Sequence, residues 1–82
     1  HEESGRLMEV YTDQPGLQFY TGNFLDGSLP QKEEGFYNFR SGFCMETQHF
    51  PNSPNQPDFP SVTLNPNEKY NSKTTYKFKI KE

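Results

Sequence analysis

Every periodic stretch in this 82-residue chain repeats at two residues, and none at the period of an amphipathic helix. The clearest is the last. From Thr74 to Lys81, the residues Thr74, Tyr76, Phe78 and Ile80 alternate with Thr75, Lys77, Lys79 and Lys81. A strand of that form turns the first set inward and leaves the lysines in water, where they also protect an edge. The segment from Arg6 to Thr12 divides in the same way, with Leu7, Glu9 and Tyr11 on one face and Met8 and Val10 on the other. The segments from Leu17 to Thr21 and from Gly42 to Gln48 also read as strands. The second of these separates Phe43, Met45 and Thr47 from Cys44, Glu46 and Gln48. Pro60 to Leu64 is a fifth, shorter candidate.

The connections carry ordinary turn chemistry. Asp13-Gln14-Pro15-Gly16 and Asn65-Pro66-Asn67-Glu68 are turns. Gly22 to Leu29 is a loop punctuated by Gly22, Asn23, Asp26 and Gly27. Gln31 to Asn38 is polar and has no apolar period to support more than a helical turn. Pro51, Pro54, Pro57 and Pro60 forbid a regular ladder between them. The expected class is all-β and antiparallel, as one part of a β-sandwich.

Size limits what such a chain can bury. Only 29% of the residues are hydrophobic, well below the apolar share of about 45–50% (Gly included) in an average globular domain. Aromatics nevertheless reach 16%, with eight Phe and five Tyr, which is unlike a disordered chain. A domain this small is marginal without a staple. Cys44 is the single cysteine, so no internal disulfide can form. His1 and His49 are too few and too distant to build a structural zinc site. The expectation is a piece of a longer polypeptide. The absent initiator Met and the Ser4-Gly5 turn, which implies an earlier strand, agree with that. A formal net charge of −3 argues against a nucleic-acid partner. No apolar run is long enough for a membrane helix, and one cysteine fits a reducing, cytoplasmic compartment better than an oxidising one.

The residues with chemical potential cluster in two runs. In Cys44-Met45-Glu46-Thr47-Gln48-His49-Phe50-Pro51, a carboxylate sits inside a strand and a proline-rich loop follows at once. Taken alone, Glu46 is first a solvent-facing carboxylate on the polar side of a half-exposed strand. The functional alternative places it in a cleft walled by the proline loop, where burial would raise its proton affinity and hydrogen-bond donors would oppose the rise. Gln48 lies on the same face. In Leu17-Gln18-Phe19-Tyr20-Thr21-Gly22-Asn23, the Gln18 amide can both donate to and accept from sugar hydroxyls, though a strand-surface amide is the simpler account. Phe19 and Tyr20 could stack on a sugar face or be core. His49 follows Glu46 by an odd number of residues, so strand alternation sends it to the opposite side and argues against a Glu46–His49 pair. Cys44 is expected to be a small buried filler.

An ordered series of these runs resembles the aldose 1-epimerase (galactose mutarotase) family. The series includes Ser4-Gly5-Arg6, Leu7-Met8-Glu9-Val10-Tyr11-Thr12, Gln14-Pro15-Gly16, the run from Gln18 to Gly27, Ser41 to Gln48, Asn55-Gln56-Pro57, Phe59-Pro60, Tyr70 and Lys77-Phe78. The resemblance covers nearly the whole chain. It implies that residues 1–82 are the C-terminal segment of a large antiparallel sandwich enzyme that interconverts the anomers of aldohexoses. It further implies that Glu46 is the general base, that Gln18 binds substrate, and that Phe19, Gln48 and Asn55 are candidates for the cleft wall. The family's acid is a histidine upstream of this segment, and neither His1 nor His49 matches it. No metal or other cofactor is implied. The implied partners are an aldohexose and the N-terminal part of the same enzyme. The segment alone is expected to be inactive and, through its open edges, prone to strand-exchanged oligomers. Two other readings stand beside this one: a noncatalytic carbohydrate-binding or interaction module, and a sugar-phosphate epimerase, for which Arg40 is the only nearby basic candidate.

Overall fold

A computed structural model describes all residues from His1 to Glu82. It contains four strands, β1 (Arg6–Thr12), β2 (Gly16–Tyr20), β3 (Cys44–Gln48) and β4 (Thr74–Ile80), and one 3-10 turn at Ser53–Asn55. The first and last strands pair antiparallel, and the two middle strands pair antiparallel, giving two separate two-stranded ribbons. The chain is therefore all-β and antiparallel, as its alternation predicts. The segment from Pro60 to Leu64 corrects that reading in one respect, because it joins no ladder. The polar stretch after Leu29 is not a helical turn either. Pro30 and Phe36 form a bridge, closed by Gln31 N–H to Gly35 O at 2.8 Å and Tyr37 N–H to Leu29 O at 2.9 Å.

Register follows the hydrophobic pattern. Met8 faces Phe78, Val10 faces Tyr76 and Thr12 faces Thr74 across the first ribbon. Leu7, Glu9 and Tyr11 occupy the opposite face with Thr75, Lys77 and Lys79. There Lys79 Nζ approaches the Glu9 carboxylate at 2.9 Å, a surface pair that sets register more than stability.

The two ribbons meet through polar side chains rather than through a core. The Tyr76 hydroxyl donates to Met45 O at 2.8 Å, and the Thr47 and Thr74 hydroxyls share a hydrogen bond of 2.7 Å. A further clamp joins the turn after β1 to the chain entering β4. Asp13 accepts from the Ser72 hydroxyl at 2.8 Å and from Lys73 N–H at 3.1 Å. The Gln14 amide reaches the hydroxyls of Tyr70 at 2.7 Å and Ser72 at 2.6 Å.

No hydrophobic residue is buried, and the inward-facing Phe78 and Ile80 are 75% and 67% exposed. Between the ribbons lies an open cleft of about 1110 Å³ lined by Met8, Phe43, Met45, Phe78 and Ile80, among others. The radius of gyration is 17.3 Å, against about 12 Å for a compact domain of this length. The alternation is correct, but the apolar face it defines stays open to solvent.

The clamp has an acid signature. The Ser72 hydroxyl, with the Lys73 amide behind it, holds the Asp13 carboxyl below its ordinary value of 3.8. The Lys79 ammonium does the same for Glu9, whose ordinary value is 4.5. Both groups bind protons less readily in the folded chain, so the unfolded chain takes up more protons as the pH falls. The stabilisation is complete above these ordinary values and is lost as the pH drops through the lower folded ones. An acid titration followed by circular dichroism should show loss of structure below about pH 4, and Asp13→Ala should flatten that dependence.

Candidate functional site

The floor of the site is the β2–β3 ribbon. Gln18 lies directly opposite Glu46, Tyr20 opposite Cys44 and Gly16 opposite Gln48. Residues opposite one another in an antiparallel pair share a face. Gln18, Glu46, Gln48, Tyr20 and Cys44 therefore project together, and the two principal candidates from the sequence become nearest neighbours. Glu46 is exposed, and its carboxylate has no hydrogen-bond partner within the chain. The Gln18 amide makes only a long contact of 3.4 Å to Phe19 O. Both polar groups remain free to bind something else.

Aromatic groups stand at both ends of this floor. At one end Tyr20 and Phe24 stack with ring centroids 6.3 Å apart and planes 13° from parallel. At the other, the Phe50 ring lies over Gly16, where an added Cβ would come within 2.9 Å of it. Phe50 meets Phe59 edge-to-face at 5.2 Å, so the proline loop stands against the end of the ribbon. Asn52, with φ of 64°, starts the 3-10 turn, and Ser53, one of two buried residues, donates from its hydroxyl to Phe50 O. Gly16 and Tyr20 are the two ends of the five-residue β2, four steps apart, which makes a floor about 13 Å long.

The other candidates fall differently. Phe19 pairs with Met45 and projects from the opposite face, where it packs edge-to-face on Phe43 at 5.9 Å. The wall beside Glu46 is thus formed by Tyr20 rather than Phe19. Asn55 lies in the proline loop, bonded to Asn52 at 2.7 Å, and makes no hydrogen bond to Glu46 or Gln18. Gln48 is half-buried on the Glu46 face, and His49 lies just beyond the end of β3. Cys44 is exposed rather than a buried filler; it is the first residue of β3, opposite Tyr20. The Arg40 guanidinium donates to Asn23 Oδ1 at 2.8 Å and lies 5.2 Å from the Phe39 ring, engaged in holding its loop. Sequence reasoning missed the walls formed by Phe24 and Phe50. Their positions depend on where two loops return, which no periodicity records.

Glu46 is held in place through its neighbours. Met45 O accepts from Tyr76 and Thr47 bonds to Thr74, so β3 is pinned to β4 on both sides of the carboxylate. Tyr76→Phe should weaken ribbon docking by about 1 kcal/mol. Hydrogen exchange would show this as faster exchange of β3 amides, with the β1–β4 amides unchanged.

Comparison with known proteins gives this arrangement a context. The family model described as aldose 1-epimerase matches residues 1–77. The chain is 58% identical over 80 residues to the galactose mutarotase of Sus scrofa, covering 98% of this chain and 23% of that protein. It is 56% identical over 80 residues to the galactose mutarotase of Homo sapiens, with the same coverage. Over 73 residues it is 41% identical to the aldose 1-epimerase of Escherichia coli, covering 87% of this chain and 21% of that protein. The chain thus spans about a quarter of the length of the curated relatives it matches. With a family match over nearly its whole length and more than half its residues shared with the mammalian relatives, the chain belongs to the aldose 1-epimerase family.

Proposed function

We propose that residues 1–82 form the C-terminal quarter of an aldose 1-epimerase that interconverts the α and β anomers of aldohexoses, with Glu46 as general base and Gln18 as a substrate-binding residue. The observation that carries this reading is the register of β2 against β3, which sets the Gln18 amide directly opposite the unpartnered Glu46 carboxylate. Glu46 takes the proton from the anomeric hydroxyl. The electron pair released forms the carbonyl at C1, the C1–O5 bond breaks, and O5 receives a proton from an acid supplied by the remainder of the enzyme. Rotation about C1–C2 exposes the other carbonyl face, and reclosure with the proton roles reversed gives the second anomer. Gln18, donating from one end of its amide and accepting at the other, holds sugar hydroxyls while C1 turns.

The missing acid makes a direct test. No histidine shares the Glu46 face of the ribbon, so the 82-residue chain is expected not to accelerate mutarotation of fresh α-galactose in a polarimeter. Supplied with the remainder of a family member, it is expected to do so. Acceleration by the chain alone that vanishes in Glu46→Gln would overturn the two-part reading. A noncatalytic carbohydrate-binding module is the second reading, favoured by the aromatic groups at both ends of the floor. It predicts sugar binding but no acceleration in either setting. The open cleft between the ribbons and the unpaired outer edges of all four strands make strand-exchanged oligomers of the isolated chain a further expectation, read by light scattering.

A further inference from the structure

Among the large hydrophobic side chains, Phe24 is the most exposed, at 89%, yet its position is closely determined. Its backbone N–H donates to the Tyr20 hydroxyl at 3.0 Å, and its ring lies nearly parallel to the Tyr20 ring. The turn that carries it is closed by Leu25 N–H to Gly22 O at 3.2 Å and Arg40 N–H to Gly22 O at 3.1 Å. The preceding Asn23 side chain accepts from the Thr21 hydroxyl and the Arg40 guanidinium. Tyr20 shares its face with Gln18 and Glu46 and sits two cross-strand pairs from them, about 7 Å along the strand. That spacing leaves room for one hexopyranose with its hydroxyls.

We propose that Tyr20 and Phe24 form a stacking surface for the C–H face of a hexopyranose whose hydroxyl edge reaches Gln18 and Glu46. This inference rests on the reading of that floor as a sugar site. The physical basis is the aromatic quadrupole: the ring face is negative, and the H3, H4 and H5 hydrogens of a galactopyranose, made positive by their electronegative neighbours, gather on one face of the sugar. Gln18 and Glu46 alone grip the polar edge and leave the sugar free to tilt. An aromatic plane at the end of the floor fixes the tilt without competing for hydroxyls.

The test is saturation-transfer NMR on the 82-residue chain with methyl β-D-galactopyranoside, a sugar that cannot change anomer. Irradiation of the aromatic protons is expected to saturate the H3, H4 and H5 protons of the galactoside. Phe24→Ala, which removes a side chain exposed to water and leaves the fold intact, should lose most of that transfer. Phe24→Trp should retain or increase it. Phe19→Ala, on the opposite face, should keep it. Transfer that is absent from the wild-type chain, unchanged in Phe24→Ala, or lost equally in Phe19→Ala would overturn the proposal. The catalytic reading fails separately: a hybrid of this chain with the remainder of a family member that keeps full mutarotation as Glu46→Gln would sink the base assignment, whereas Phe24-dependent transfer is read on the 82-residue chain without any turnover.

Discussion

Glu46→Gln is expected to slow mutarotation by about 10²–10⁴-fold in a hybrid in which this chain replaces the matching 80 residues of the Sus scrofa relative. The substitution keeps the shape of the side chain and its place opposite Gln18, and removes only the ability to take a proton. KM should therefore change little while kcat falls, the signature of an interaction needed in the transition state rather than in binding. Gln18→Ala should behave in the opposite way, raising KM more than it lowers kcat, because an amide that positions hydroxyls transfers no proton. Polarimetry at several galactose concentrations distinguishes the two. Glu46→Gln retaining more than a tenth of the activity would remove this carboxylate from the role of base.

The second large effect is expected at a backbone position rather than at a reacting side chain. Gly22→Ala should destabilise the hybrid by about 1–3 kcal/mol. Gly22 is buried and has φ of 78°, in the left-handed region. A Cβ there would come within 2.6 Å of Gly42 O and 3.3 Å of the Arg40 Cα, both backbone atoms. Its carbonyl also accepts from both Leu25 and Arg40, so Gly22 is the neck at which the long loop between β2 and β3 closes. Opening that neck releases Phe24 from Tyr20 at one end and Cys44 at the other. Gly42→Ala is the control. An added Cβ there meets nothing within 4 Å, and the expected change is within about 0.5 kcal/mol. Denaturant unfolding of the two variants would compare them directly, and equal midpoints would refute the assignment of Gly22 as the neck.

Much of this protein was legible before any coordinates. The alternation of Thr74, Tyr76, Phe78 and Ile80 against the lysines defined a strand and its two faces, because side-chain direction in a strand has a period of two whatever the partner. For the same reason Glu46 and Gln48 could be placed on one face and His49 set aside. Proline spacing excluded a ladder between Pro51 and Pro60, since a residue without an N–H cannot continue one. The family series was equally a property of residue order.

Tertiary structure decided what lies across from what. Alternation along β2 and along β3 gives each strand two faces. It does not say that Gln18 meets Glu46 rather than Cys44 or Gln48, because register depends on how the 21–43 loop closes at Gly22. Nor does it say which way Phe19 turns: only the pairing with Met45 sends that ring away from Glu46 and leaves the wall to Tyr20 and Phe24. Cys44 and Pro60–Leu64 were misread for a related reason. Burial and strand pairing are properties of a neighbour as much as of the segment itself, and here no neighbour covers Cys44 or pairs with Pro60–Leu64.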